Sequence, residues 1–179
     1  SGVRTITGVA TSVTAFVGFT AKGQPNKAAT ITSYADFERQ FGGLHRDSPV
    51  SYAVRQFYAN GGSQALIVRV ASGFAATTWS LSDSAIPVLT VEASSPGVWA
   101  NRLRLSVERT SARNPDAEFN LIVSELQANN TSLVTLETHR NLNMNPQSAQ
   151  YAVAVVNNAS GLVKLTRSAG LTFNASGFA

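Results

Sequence analysis

The chain has 179 residues, 44% of them hydrophobic, enough for one core of ordinary size or two small ones. Only 13% are charged, the formal net charge is +4, and the basic residues (Arg4, Lys22, Lys27, Arg39, Arg46, Arg55 and Arg69 in the first part) form no tract, so neither composition nor pattern points to nucleic acid. The absence of cysteine excludes disulfide scaffolds, thiolate metal sites and cysteine nucleophiles, and no segment approaches the roughly 18 apolar residues of a membrane span or the pattern of a secretory leader.

In chain order, "VTAFVGFTA" (13–21) places Val13, Ala15, Val17 and Phe19 on one face with Phe16 and Gly18 on the other, the pattern of a strand covered on both sides. "GQPN" (23–26) turns the chain. In "TSYADFERQFGG", Thr32 or Ser33 can cap a short helix whose Tyr34, Phe37 and Phe41 share one face and which Gly42-Gly43 ends. Asp47 or Ser48 caps the next helix, with Pro49 at its first position and Val50, Ala53, Val54, Phe57 and Tyr58 as its apolar stripe before Gly61-Gly62. "ALIVRVA" (65–71) is apolar except for Arg69 and reads as a second buried strand. Together these predict a βααβ unit with a right-handed parallel crossover, part of a larger α/β domain.

From about Trp79 the helical period gives way to short alternating segments: "PVLTVEA", "RLRLSVER", "FNLIVSEL" and "LVTLET", separated by "SSPG", "ARNPD" and "QANN". In "RLRLSVER", Leu103, Leu105 and Val107 are expected to face in and Arg102, Arg104 and Glu108 out. Asn145-Pro146 is expected to open a helix running to about Asn157, and "LVKLT" (162–166) supplies a last strand. The fold class is therefore α+β: the βααβ unit followed by a small β-sandwich-like domain with one helix. "RSAGLTFNASGFA" after it is small, polar and unpatterned, as in a linker.

Chemistry is hard to find in this pattern. The glycine pairs follow helices instead of preceding them, and neither a G-x-x-x-x-G-K-[ST] nor a G-x-G-x-x-G string occurs, so they read as helix ends and not as phosphate cradles. His45 and His139 have no metal-ligand spacing, and "RDSPV" and "NGGSQ" are better explained as cap and turn than as a serine nucleophile. Asp36, Glu38 and Asp47 lie where helix starts and exposed helix faces place acids. The sequence thus names no catalytic, cofactor or metal residue, and no enzyme is expected. A standalone ligand- or carbohydrate-binding β-domain, with a site bearing Trp79 or Trp99, is the alternative.

Five ordered strings carry more information than any of these patterns: "SGVRTITGVATSVTAFVGFTAKG", "ITSYADFERQFGG", "YAVRQFYANGGSQALIVRV", "SPGVWANRLRLSV" and "ETHRNLNMNPQSAQYAVAVVNNASGLVKL". In order and spacing they resemble the N-terminal half of contractile tail sheath proteins, which form the sheaths of myophage tails and of phage-like contractile injection particles. Ala100 stands where many relatives have glycine. The resemblance implies that 1–11 is the base of an N-terminal arm, with Gly2, Val3 and Arg4 in the intersubunit linkage. It also implies that 12–75 belongs to the sheath core domain, that 84–167 is the β-sandwich domain, and that 168–179 leads toward a C-terminal region. It further implies a structural subunit that polymerises in stacked rings around an inner tube protein, contacts baseplate and terminator proteins, and contracts to drive the tube through a target envelope. Such a subunit needs no cofactor, nucleic acid or membrane insertion, and assembles in the bacterial cytoplasm.

Overall fold

The computed structural model describes residues 13–73, 75–83 and 86–168. The chain divides between Gly73 and Phe74 into two compact units. The first contains strands β1 (Val13–Gly18) and β2 (Ala28–Ile31), helices α1 (Tyr34–Phe41) and α2 (Pro49–Ala59), and strand β3 (Gln64–Arg69). Its sheet has the order β1-β3-β2, with β3 central, parallel to β1 and antiparallel to β2. The parallel crossover is as predicted. β2 is an addition, four residues after the 23–26 turn with too short a pattern to show in sequence.

Both helices start on serine. The Ser33 hydroxyl accepts from the Asp36 N–H at 3.1 Å, and the Asp36 carboxylate reaches back to accept from the Thr32 N–H at 3.2 Å and the Thr32 hydroxyl at 3.0 Å. This is a reciprocal capping arrangement. The Thr32 N–H first, then the Ser33 and Thr32 hydroxyls, hold the Asp36 carboxyl down to about 2 from 3.8. A carboxyl with a lowered folded pKa stabilises the fold above its unfolded value and loses that contribution as pH falls through the folded one. Stability is therefore expected to drop between pH 3.8 and about 2, and Asp36→Asn to flatten that stretch of a melting-temperature profile. An unchanged profile would show that the cap contributes nothing in acid.

The first core is Ile31, Phe37, Phe41, Val54, Ala65 and Ile67. Tyr34, Phe37 and Phe41 stack along α1 with centroids 5.9 and 5.5 Å apart, and Phe57 of α2 meets Phe16 of β1 edge-on at 5.6 Å. Every one of these contacts lies on one side of the sheet. The expectation that the strand in 13–21 is covered on both sides is not met among the described residues. Of the predicted buried row, Val13 is 45% and Val17 62% exposed, and Ala15 is exposed as well. Ala53, expected in the α2 stripe, is exposed, and buried Ser51 takes its place because its hydroxyl donates to the Ser48 carbonyl at 2.7 Å.

Arg69 is the polar exception in β3 and is wholly buried. Its Nε–H donates to the Thr20 carbonyl at 3.1 Å and Nη1 donates to the Gly23 carbonyl at 2.6 Å, while its own carbonyl accepts from Asn26 N–H at 2.8 Å. One side chain so organises the β1–β2 loop. Burial lowers its pKa.

The second unit contains β4 (Thr78–Asp83), β5 (Ile86–Ala93), β6 (Leu103–Glu108), β7 (Phe119–Leu126), β8 (Leu133–Leu142), α3 (Ala152–Ala159) and β9 (Val163–Arg167). Two antiparallel three-stranded sheets, β4-β5-β9 and β6-β7-β8, share one core with α3. From the first sheet come Leu89, Val91, Val163 and Leu165, and from the second Leu103, Phe119, Leu121, Val123 and Leu142; α3 adds Ala152 and Val156. The fold is mixed α+β with a sandwich-like part. Three details differ from the sequence reading. β4 is a strand where only a change of texture was read. Val107 is 43% exposed instead of inward. The predicted helix from Asn145 begins only at Ala152. The Gln150 N–H goes to Ser148 Oγ at 3.1 Å and the Ala152 N–H to the Asn143 carbonyl at 2.8 Å, in place of the carbonyls four residues back, and such bonds compete with a helix.

A side chain closes one sheet edge. Asn157 of α3 donates from Nδ2 to the Leu165 carbonyl at 2.9 Å and accepts from the Leu165 N–H at 2.7 Å, as a neighbouring strand would. Among the described residues no helix is long and apolar enough to cross a membrane.

Candidate functional site

Gly2, Val3 and Arg4, the residues assigned to the arm base, lie outside the described residues. The glycine turns lie within them. Gly42 has φ 92° and donates its N–H to the Glu38 carbonyl at 3.0 Å, so it terminates α1 in the left-handed region. Gly61 has φ 87°, with nothing within 4 Å of where a Cβ would stand. Gly62 is glycine for another reason: a Cβ there would sit 2.4 Å from the Phe57 ring. The turn before β3 is thus shaped by a backbone conformation and a packed ring. Gly61→Val is expected to cost about 1 kcal/mol from left-handed strain alone, and Gly62→Ala about 1–2 kcal/mol by displacing Phe57. Chemical denaturation of both variants checks this, and a neutral Gly61→Val would remove the strain argument.

The histidines have local roles. His45 stands edge-on to Phe19 at 5.4 Å and its Nδ1 accepts from the Asp47 N–H at 3.2 Å. His139 Nε2 lies 3.1 Å from Glu137 Oε2, and the same carboxylate accepts from Ser160 Oγ at 2.6 Å and Gly161 N–H at 3.0 Å. Glu137 therefore ties β8 to the loop entering β9. Among the described residues no three His, Asp or Glu side chains gather as a metal site would require. Ser48, from "RDSPV", caps α2 and donates to the Phe19 carbonyl at 2.5 Å.

Trp79 and Trp99 both pack against the sandwich core, and Trp99 Nε1 donates to the Ser95 carbonyl at 3.1 Å. A cleft in this unit, about 340 Å³, is lined by Leu81, Ser82, Val88, Leu89, Val107, Arg109 and Phe119.

The feature that calls for a partner is the free face of the first sheet. Directly paired residues share a face. Ala15 and Thr30 flank Leu66, and Val17 and Ala28 flank Val68, so with Val13 they form one largely apolar surface across all three strands, edged by Gln64. Leu66 and Val68 are only half-buried. Val13, Ala15, Val17, Leu66 and Val68 are apolar in sequence and were expected inside, as part of a larger α/β domain; among the described residues nothing lies over them.

An α+β unit with one open sheet face, joined in sequence to a six-stranded sandwich with a single helix, defines the class of fold. No protein-family model matches the sequence, and no match is found among curated proteins. Solved structures do match. The sheath tail protein of Listeria innocua aligns over 93% of this chain with a TM-score of 0.59 and 15% identity, and that of Desulfitobacterium hafniense over 92% with a TM-score of 0.53 and 15% identity. The chain has the fold of a part of these sheath tail proteins, spanning 32% and 33% of their lengths.

Proposed function

We propose that this chain is part of a structural subunit of a contractile tail sheath. The likeness in fold to two sheath tail proteins over more than nine-tenths of the chain carries the reading. The five sequence strings and the open sheet face support it. In this reading 12–75 belongs to a core domain whose uncovered face is completed by further polypeptide of the same subunit, 84–167 is the sandwich domain, and 168–179 is a linker. The segment 1–11 is the base of an arm, with Gly2, Val3 and Arg4 joining neighbouring subunits.

The mechanism needs no catalytic group. A strand contributed by one subunit to the sheet of the next makes main-chain hydrogen bonds that tolerate side-chain change and keep subunits linked while their surfaces re-pack. The work of contraction comes from the free-energy difference between two packings of the same subunits, released on triggering. The partners are other sheath subunits, an inner tube protein, and baseplate and terminator proteins, in a phage tail or phage-like particle. A low-charge surface rich in Ser, Thr and Asn suits repeated close packing.

The test is negative-stain electron microscopy of the longest polypeptide encoded by the gene that contains this sequence, with and without tube protein. Hollow tubes or stacked rings are expected. Dispersed particles under both conditions would leave the fold and remove the function.

A further inference from the structure

Four strand edges of the second unit can be compared. The outer edge of β9 is occupied by Asn157 at Leu165. β6 carries Arg104 and Glu108, and β4 changes register after Leu81. Charges and irregularities of this kind are how sheets keep edges from pairing with other chains. β8 is different over its first half. It is the last strand of its sheet, and from Gln127 to Leu136 the sequence has no charged residue and no proline. Leu133 is 56% exposed, Val134 47% and Leu136 44%.

The irregularity in β8 comes too late to protect that stretch. Val123 pairs with Glu137 and Ser124 with Thr135, so Leu136 is the extra residue of a bulge. Before it, Leu133, Val134 and Thr135 pair regularly with Leu126, Glu125 and Ser124. The hairpin turn is fixed as well: the Asn129 side-chain carbonyl accepts from the Thr131 and Ser132 N–H groups at 3.1 and 3.0 Å, and the Gln127 N–H donates to the Ser132 carbonyl at 2.8 Å. The exposed aliphatic residues sit on an ordered strand and not on a loose loop.

We propose that this edge is a self-association surface, occupied by β8 of a second copy of the chain running antiparallel about a two-fold axis near Val134. Self-pairing is favoured over a foreign strand by the register itself. With the axis at Val134, that residue faces its own copy, Leu133 faces Thr135 and Ser132 faces Leu136. The nearest charge, Glu137, lies beyond the bulge, so no like charges meet within the added ladder. A two-fold contact of this kind is closed and self-complementary. The bulge at Leu136 keeps the added ladder short, so the contact is smaller than a standard stable interface and weak on its own. It rests on the strand edge alone and stands apart from the sheath reading.

Sedimentation velocity of the whole chain from micromolar to millimolar concentration tests it. The weight-average mass is expected to rise toward that of a dimer. Val134→Lys and Leu133→Lys, which set like charges across or beside the axis, are each expected to weaken association about tenfold or more. Val107→Lys, on the exposed part of β6, is expected to leave it unchanged. Far-ultraviolet circular dichroism confirms that each variant is folded. A wild-type chain that stays monomeric throughout the range overturns the proposal, and so does association that survives both β8 variants or is lost equally with Val107→Lys.

Discussion

Arg69→Met is expected to destabilise the first unit by about 3 kcal/mol in urea, the largest effect of any single polar substitution there. Methionine keeps most of the buried stem, so packing is roughly conserved. What disappears is the charged donor to the Thr20 and Gly23 carbonyls, at 3.1 and 2.6 Å. Charge-assisted bonds to buried carbonyls are each worth about 1.5–3 kcal/mol, and an acceptor left without a donor retains its desolvation cost. Arg69→Lys should recover only part of the loss, because one ammonium on a shorter reach cannot span both carbonyls as the guanidinium fork does. A loss below about 1 kcal/mol for Arg69→Met would show that the loop of residues 20–26 holds itself without the side chain.

Phe37→Ala is expected to cost about 3–4 kcal/mol. Phe37 has 0% exposure and stands between Tyr34 and Phe41 in the ring stack, so truncation leaves a cavity whose walls are fixed by two helices and β3. On the opposite side of the same sheet, Val17→Ala should change stability by no more than about 0.5 kcal/mol, since Val17 is 62% exposed. The pair of variants therefore measures the two faces of one sheet. If Val17→Ala costs as much as a core truncation, the face is covered in solution.

That contrast marks where the sequence stops being informative. The helices were legible because their signals are local: Ser33 and Ser48 as caps, Pro49 at a first turn, aromatic residues at helical spacing, glycine after each end. The burial of Ala65 and Ile67 was legible from the apolar run 65–71, whereas that of Arg69, the polar exception in the run, was not. The open face was not legible. Val13, Ala15 and Val17 are apolar in a strand, and a pattern records only that such side chains are kept from water somewhere, not that the covering surface belongs to the same stretch of chain. β2 escaped because four residues are too few for a period to emerge. α3 was overextended for a different reason. Ala149, Ala152, Val153 and Val156 fit a helical stripe, yet the Gln150 and Ala152 N–H groups, which a helix beginning at Asn145 would pair with carbonyls four residues back, go to Ser148 Oγ and the Asn143 carbonyl instead.

The paired hydrogen bonds between Asn157 and Leu165 bear on how concentrated this protein can become. An open strand edge is a nucleation template, and growth from it needs only one incoming peptide to find an unoccupied N–H and C=O. By filling both groups of Leu165 with an amide anchored on α3, the fold removes the central rung of β9 from that competition without adding a strand. Solubility at this edge thus depends on a single helix staying docked. Because Ala152 and Val156 of α3 are part of the sandwich core, conditions that undock the helix would expose the β9 edge and open that core together.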